Sequence, residues 1–321
     1  MRVLISGSGG FIGGHMMHRF IEEGHDVVGV DIKKPRDWYQ FHDNAKRNLV
    51  YDLKADASFK PLFAGAPFDC VINLAADMGG MGFLDSHRVD TLHSVDITTN
   101  MIRWSYESNA SMFVQASSAC VYPEYKQNTR EVSLKESDAW PADPEPAYGL
   151  EKLYGEELCK WYQISYGLNT KAIRLHNVYG PHGTFSGGRE KAPSAIIRKV
   201  IEAKLSKNYK INIWGDGQQT RSFMYIDDCV EGFSRIIKSD IPHGPINLGS
   251  SELVSINNLV SVVEDIAGVK LEREYDLTAP QGVRGRNSDN TLIQELYNWE
   301  PSISLREGLE KTYSWIWDQM N

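Results

Sequence analysis

Residues 2–13 read Arg2-Val3-Leu4-Ile5-Ser6-Gly7-Ser8-Gly9-Gly10-Phe11-Ile12-Gly13. An apolar run that ends in glycines and passes straight into a helical pattern marks a strand turning into a helix around a phosphate. Gly7 permits the tight turn, Gly10 lets the backbone approach a pyrophosphate, and Gly13 lets the helix pack close to the sheet. The helix N-terminus then offers unpaired N–H groups and its positive dipole end to anionic oxygens. The helical pattern continues through Glu23 and stops at Gly24, and Val27-Val28-Gly29-Val30-Asp31 follows as a second strand. Asp31, at the end of that strand, can bind both ribose hydroxyls of an adenosine and repels a 2′-phosphate, which favours NAD over NADP. Lys33 and Lys34 weaken that preference slightly.

Further apolar segments at 69–74, 111–116 and 171–175 alternate with helical patterns near 92–108 and 148–166. The alternation predicts βαβ units, hence an α/β fold with a Rossmann-type doubly wound parallel sheet. After residue 180 the pattern changes. Pro/Gly punctuation at 180–193, a short strand near 211–214 and a helix near 254–267 predict a smaller interleaved C-terminal lobe. The division read here is 1–180 with about 222–250 as the NAD-binding domain, and 181–221 with 251–321 as the substrate lobe. In the first domain, Phe11 and Ile12 belong to the phosphate turn, and Asp52 with Leu53 meets the adenine edge. Leu74-Ala75-Ala76 passes beneath the cofactor, where small side chains permit close approach.

A formal charge of −8 over 321 residues argues against a general nucleic-acid surface. No apolar stretch approaches the roughly 20 residues that span a bilayer, and the N-terminus reads as a strand rather than a signal peptide. Cysteines stand at 70, 120, 159 and 229, with neither a Cys-x-x-Cys pair nor metal-ligand spacing. That usage fits a reducing, cytoplasmic setting. Cys70, Cys159 and Cys229 read as small buried hydrophobes.

Cys120 is different. It lies in Ser117-Ser118-Ala119-Cys120-Val121-Tyr122, and Tyr148-Gly149-Leu150-Glu151-Lys152 follows. Lys152 lies one helical turn after Tyr148, on the same face. Free tyrosine ionises near pH 10, so a base at neutral pH needs help from that ammonium and from the positive nicotinamide ring. Ser118 can hydrogen-bond the same substrate hydroxyl. Together these residues can take a proton from a sugar alcohol while its carbon gives up hydride. A thiol beside that apparatus points to protons moved on carbon as well.

Longer motifs carry a more specific likeness. They are Ala75-Ala76-Asp77-Met78-Gly79-Gly80-Met81-Gly82-Phe83, Ser117 to Glu124, Val132 to Pro141, Gly187-Gly188-Arg189-Glu190-Lys191-Ala192-Pro193, Trp214-Gly215-Asp216-Gly217 with Gln219-Thr220-Arg221, and Gly282 to Asn290. Through them the chain resembles the extended short-chain dehydrogenase/reductase family (the NAD-dependent epimerase/dehydratases) and, within it, the GDP-mannose 3,5-epimerases.

The resemblance implies a cycle on one GDP-sugar, with NAD recycled in place. Tyr148 and NAD oxidise C4 to a ketone, which acidifies the hydrogens on C3 and C5. Cys120 and Lys191 remove and return those protons on opposite faces, and hydride returns to C4. The product implied is GDP-L-galactose, with GDP-L-gulose as the 5-epimer. It also implies a substrate site made by Gly79, Ser118, Ala119, Cys120, Asn177, Glu190, Lys191, Ala192, Lys199, Gln219, Thr220, Arg221, Arg284 and Arg286, and a homodimer formed through helices 92–108 and 148–166.

Relatives narrow the reaction. Nucleotide-sugar 4,6-dehydratases place an Asp-Glu pair where this chain has Ala119-Cys120. UDP-galactose-type 4-epimerases have Thr at Cys120. GDP-fucose synthases pair the cysteine with a histidine where Lys191 stands, and they consume NADPH. Epimerisation of another GDP-hexose or GDP-heptose uses the same residues and remains open at this level, as does a non-catalytic NAD-binding role. His182 and the longer segment 203–210 depart from the plant enzymes.

Overall fold

β1 (Arg2–Ser6) is buried at four of its five positions, as an apolar run covered on both faces requires. In the computed structural model, which describes residues 1–42, 48–55, 60–241 and 244–321, it lies within a seven-stranded sheet. The other strands are β2 (Asp26–Asp31), β3 (Asn48–Val50), β4 (Cys70–Asn73), β5 (Met112–Ser118), β6 (Asn169–Leu175) and an edge strand at Ile246–Leu248. Across the sheet the order runs from the edge strand through β6, β5, β4, β1 and β2 to β3, and every pairing is parallel. The order reverses between β1 and β4, where a parallel sheet opens its ligand crevice. Register aligns the ends there: Ser6 pairs with both Val30 and Asn73, and Asn73 with Gln115.

The predicted doubly wound fold is therefore present. Helix α1 (Phe11–Glu22) follows the glycine turn and buries Met16, Met17 and Phe20 against the sheet. The pattern near 92–108 becomes a helix at Ser94–Glu107, preceded by a short one at Arg88–Leu92, and the pattern at 148–166 becomes a helix with those bounds. The two longer helices lie side by side, with the Thr99 and Tyr154 hydroxyls 2.8 Å apart. The helix expected near 254–267 starts at Ile256, because Leu253–Ser255 is a strand and the Ser255 hydroxyl caps the helix by accepting the Asn258 N–H. That strand joins Thr220–Ser222 and Gly285–Arg286 in a three-stranded sheet, and Lys210–Trp214 pairs with Glu272–Asp276.

One apolar cluster runs unbroken from Val3 and Ile5 of β1 to Ile316 of the C-terminal helix Leu305–Met320. A second covers the other face of the sheet, with Leu4, Val71 and Phe113 against Met101 and Ile102. Cys70, Cys159 and Cys229 are buried free thiols, as their settings suggest. Among the described residues no helix is long and apolar enough to cross a membrane.

Candidate active site

Along the C-terminal rim of the sheet runs a cavity of about 670 Å³. Its wall includes Gly7, Gly10, Phe11, Ile12, Gly13, Asp31, Asp52, Leu53, Leu74, Ala76, Tyr148 and Lys152, all assigned above to the cofactor. The backbone there is shaped for a dinucleotide. Gly7 has φ +75°, and a Cβ on Gly13 would collide with the Gly7 carbonyl oxygen. Asp31 is held at the end of β2 by the N–H groups of Gly9 and Lys33, each donating at 2.9 Å. These residues fit NAD: a side-chain-free turn at a helix N-terminus for the pyrophosphate and an anchored carboxylate for the ribose.

Tyr148 opens the helix Tyr148–Tyr166, directly after Ala147 at φ 61°. Burial pushes its hydroxyl well above the ordinary tyrosine value, the Cys120 and Glu151 charges push the same way, and the Ser118 hydroxyl opposes them by hydrogen bonding. Lys152 places its ammonium 5.4 Å from the Tyr148 ring centroid and 3.3 Å from the buried Glu151 carboxylate. Of the two sources of help expected, the ammonium and the nicotinamide ring, the ammonium by itself does not bring Tyr148 down. Burial is the larger effect, and Glu151 offsets the ammonium.

β5 ends at Ser118, and the chain turns through Ala119–Val121 with the Cys120 N–H donating to the Ser118 hydroxyl at 3.2 Å. The cations near Cys120 do not bring its thiol toward neutrality in this state. Burial pushes it up to about 11, Glu145 adds to the rise, and Arg286 opposes it from 3.3 Å. Lys191 precedes the helix Ala192–Ser206 and lines the cavity with Ser118. Its ammonium is pulled below the usual lysine range by desolvation, against the pull of Cys120 and with that of Arg286.

The remaining substrate candidates are not part of that cavity's wall and sit around the Cys120 cluster or in the lobe. Arg286 donates to Gln127 at 2.6 Å and to Glu145 at 3.3 Å. Register sets it beside Arg221, which burial and then Arg286 pull down to about 9. Arg221 donates to the Thr220 carbonyl at 2.8 Å, and the Thr220 hydroxyl donates to the Arg130 carbonyl. Arg284 is engaged by both oxygens of Asp216, at 3.0 and 2.9 Å. Lys199 donates to the Asn212 carbonyl at 2.9 Å beside the Trp214 ring. Gln219 donates to the Trp214 carbonyl at 3.0 Å, and its buried carbonyl oxygen has no hydrogen-bond partner among the described residues. Asn177, at φ 24°, donates to the Ser222 carbonyl at 3.1 Å. Glu190 accepts the Gly188 N–H at 2.7 Å and pairs with Arg198 at 3.2 Å. Gly79 lies against Phe83, and Ala192 starts the helix that follows Lys191.

Three residues of this region escape the sequence reading. Glu145 and Glu151 are carboxylates whose charge reaches Tyr148, and Arg189 lines the cavity. For Glu145 the available signal is its place between Pro144 and Pro146, just before Tyr148. Arg189 stands inside a quoted motif without a role.

The model of the "NAD dependent epimerase/dehydratase family" matches residues 3–249. GDP-mannose 3,5-epimerase from Arabidopsis thaliana is 47% identical over 322 residues, spanning 100% of this chain and 83% of that protein. Among solved structures, UDP-glucose 4-epimerase of Thermotoga maritima with UDP-glucose has a TM-score of 0.89 at 23% identity, over 100% of both chains. The UDP-glucuronic acid 4-epimerase of Bacillus cereus, with UDP-glucuronic acid and NAD, has a TM-score of 0.84 at 24% identity, also over 100% of both. At such identities the two structures speak to the fold alone.

Proposed function

This chain belongs to the NAD dependent epimerase/dehydratase family, and from that premise we propose that it epimerises GDP-mannose at C3 and C5 to GDP-L-galactose through a 4-keto sugar. The observation that carries the reading is that Ser118, Tyr148 and Lys191 line one cavity, with Cys120 on the turn that follows Ser118, although these residues come from separate elements. A C4 epimerase needs only the tyrosine.

When bound, NAD supplies the hydride acceptor and donor for C4. Gly7, Gly10 and Gly13 receive its pyrophosphate, Asp31 the adenosine ribose, and Lys152 the nicotinamide side. Tyr148 takes the proton of the sugar 4-hydroxyl, which Ser118 orients. The ketone acidifies C3 and C5, because each carbanion delocalises into an enolate. Cys120 and Lys191 remove and return those protons from opposite faces, which inversion requires. Arg221 and Arg286 hold the diphosphate, and the lobe of residues 181–221 and 251–321 holds the nucleotide.

The enzyme acts as a homodimer. Trp161, Ile164 and Tyr166 of the helix Tyr148–Tyr166 remain 54%, 64% and 58% exposed, and Tyr106 of the neighbouring helix Ser94–Glu107 40%, which supports a second copy seated there. The native chain should sediment as a dimer and Trp161→Glu as a monomer, and a native monomer would remove the idea. Four free thiols support a cytoplasmic setting, which cell fractionation checks; recovery in a secreted or membrane fraction would count against it.

The function is tested by incubating purified protein with GDP-mannose in D₂O, without added cofactor, and following label by NMR. Deuterium at C3 and C5 with C4 unlabelled, alongside GDP-L-galactose, is expected. A protein that leaves both carbons unlabelled is not this epimerase.

A further inference from the structure

Two motifs quoted above contain residues for which the proposed cycle has no use: Asp77 to Phe83 and Gly187 to Lys191. They are far apart in sequence, and the fold clasps them together. Arg189 Nη1 donates to the Asp77 carboxylate at 2.6 Å and to the Met78 carbonyl at 3.1 Å. Its guanidinium carbon lies 3.7 Å from the centroid of the Phe83 ring, a cation–π contact. The Gly80 N–H donates to the Arg189 carbonyl at 3.0 Å. Position 80 has to be glycine for that approach, because a Cβ would collide with the Glu190 carbonyl oxygen. On the other side of Arg189, the Glu190 carboxylate ties the segment to the Gly188 N–H and to Arg198.

Lys191 therefore extends from a segment pinned on both sides, at the start of the helix Ala192–Ser206. Asp77, Met78, Arg189 and Lys191 line one cavity. The Asp77–Arg189 pair is about half exposed, with side chains 35% and 47% accessible, and such a pair contributes little to stability. What its four contacts determine is direction. Cys120 sits on the turn after β5 and makes none of them.

From this arrangement we infer that the Asp77–Arg189 clasp is a positioning device for Lys191, setting the approach of its ammonium to the sugar ring and so governing the proton transfers at C3 and C5 that Lys191 shares with Cys120. The inference rests on the epimerase reading above. It assigns Asp77 and Arg189 no contact with the reacting atoms. Their effect passes through Lys191, and a misplacement on the order of 1 Å in such a group costs up to about 100-fold in rate.

The test compares native protein, Asp77→Ala, Arg189→Ala, Arg189→Lys and the double alanine variant, each with GDP-mannose in D₂O. Label at C3 and C5 is followed separately, together with KM and bound NAD. Both alanine variants should lose exchange at C3 and at C5 by about tenfold or more, with KM and NAD content unchanged. Arg189→Lys, which keeps the charge, should retain more of that exchange than Arg189→Ala. The double variant should be no worse than the poorer single one, because the two residues act as one unit. Unchanged exchange at both carbons, a rise in KM or a loss of bound NAD that accounts for slower exchange, or additive losses would each overturn the clasp as a positioning device. Native protein that labels neither carbon would instead defeat the epimerase reading, and the clasp with it.

Discussion

The guanidinium of Arg286 lies 3.3 Å from the sulfur of Cys120, across 166 residues of sequence. The same guanidinium reaches Glu145 at 3.3 Å, so the sulfur has a cation and a carboxylate as neighbours. The cation favours thiolate, whereas burial and the carboxylate oppose it, and opposition wins with the thiol pushed up to about 11.

Cys120 should therefore be protonated at neutral pH in the substrate-free protein. Its alkylation by iodoacetamide, followed by peptide mapping, should be slow at pH 7 and rise about tenfold per pH unit as thiolate accumulates. Arg286→Ala removes the opposing cation and should move that profile to still higher pH. A native profile with its midpoint near 7 would contradict this. Cys70 provides an internal reference, since burial pushes it up to about 12.

Cys120→Ala and Lys191→Ala should each reduce epimerisation by about 100-fold or more, the usual scale for a lost acid or base, while NAD stays bound. Tyr148→Phe should stop the cycle earlier, at the first oxidation of C4. Product analysis and cofactor extraction separate the two cases. Full activity in any of the three removes that residue's role.

Gly13→Ala tests the cofactor turn. The added methyl has no space against the Gly7 carbonyl, and overpacking of this kind costs about 1–3 kcal/mol. The variant should unfold at lower temperature and be purified without dinucleotide. Unchanged NAD content would show that the turn does not hold the cofactor as described.

His176 predicts how the fold responds to acid. It is fully buried, with Nε2 3.1 Å from the Asn247 carbonyl oxygen, and burial pushes its pKa down to about 3. An unfolded histidine binds a proton near pH 6.5. Between those values the unfolded chain takes up a proton that the folded chain refuses, so this contribution to stability is present above about 6.5 and is lost as pH falls, by about 1.4 kcal/mol per unit. His176→Gln should be less stable than native protein at pH 7, with the gap closing as pH drops toward 4. Urea titrations at several pH values measure it, and a constant gap would reject the account.

The parts legible in the sequence are those written locally. The turn after β1 announces itself because strand, glycines and helix are contiguous, and Tyr148 and Lys152 announce themselves because one helical turn fixes their relation. β3 and the edge strand Ile246–Leu248 each have three residues, too few for any periodicity to register. The contacts of Glu145, Arg189 and Arg286 are made between segments remote in the chain, so neither propensity nor spacing records them. Even Arg284, read as a substrate contact through the family resemblance, is found with its guanidinium already on Asp216. That pairing arises only when the Gly217 turn and the Gly285–Arg286 strand meet in space.

The chain leaves the sheet after Leu175, builds strands and helices elsewhere, and returns to lay Ile246–Leu248 beside β6 before leaving again. Recombination therefore faces a topological toll. The segments on either side of that strand, proposed above to hold the nucleotide, cannot be exchanged as one terminal cassette. They have to arrive in two instalments around a retained edge strand, which favours change by point substitution over wholesale exchange of modules.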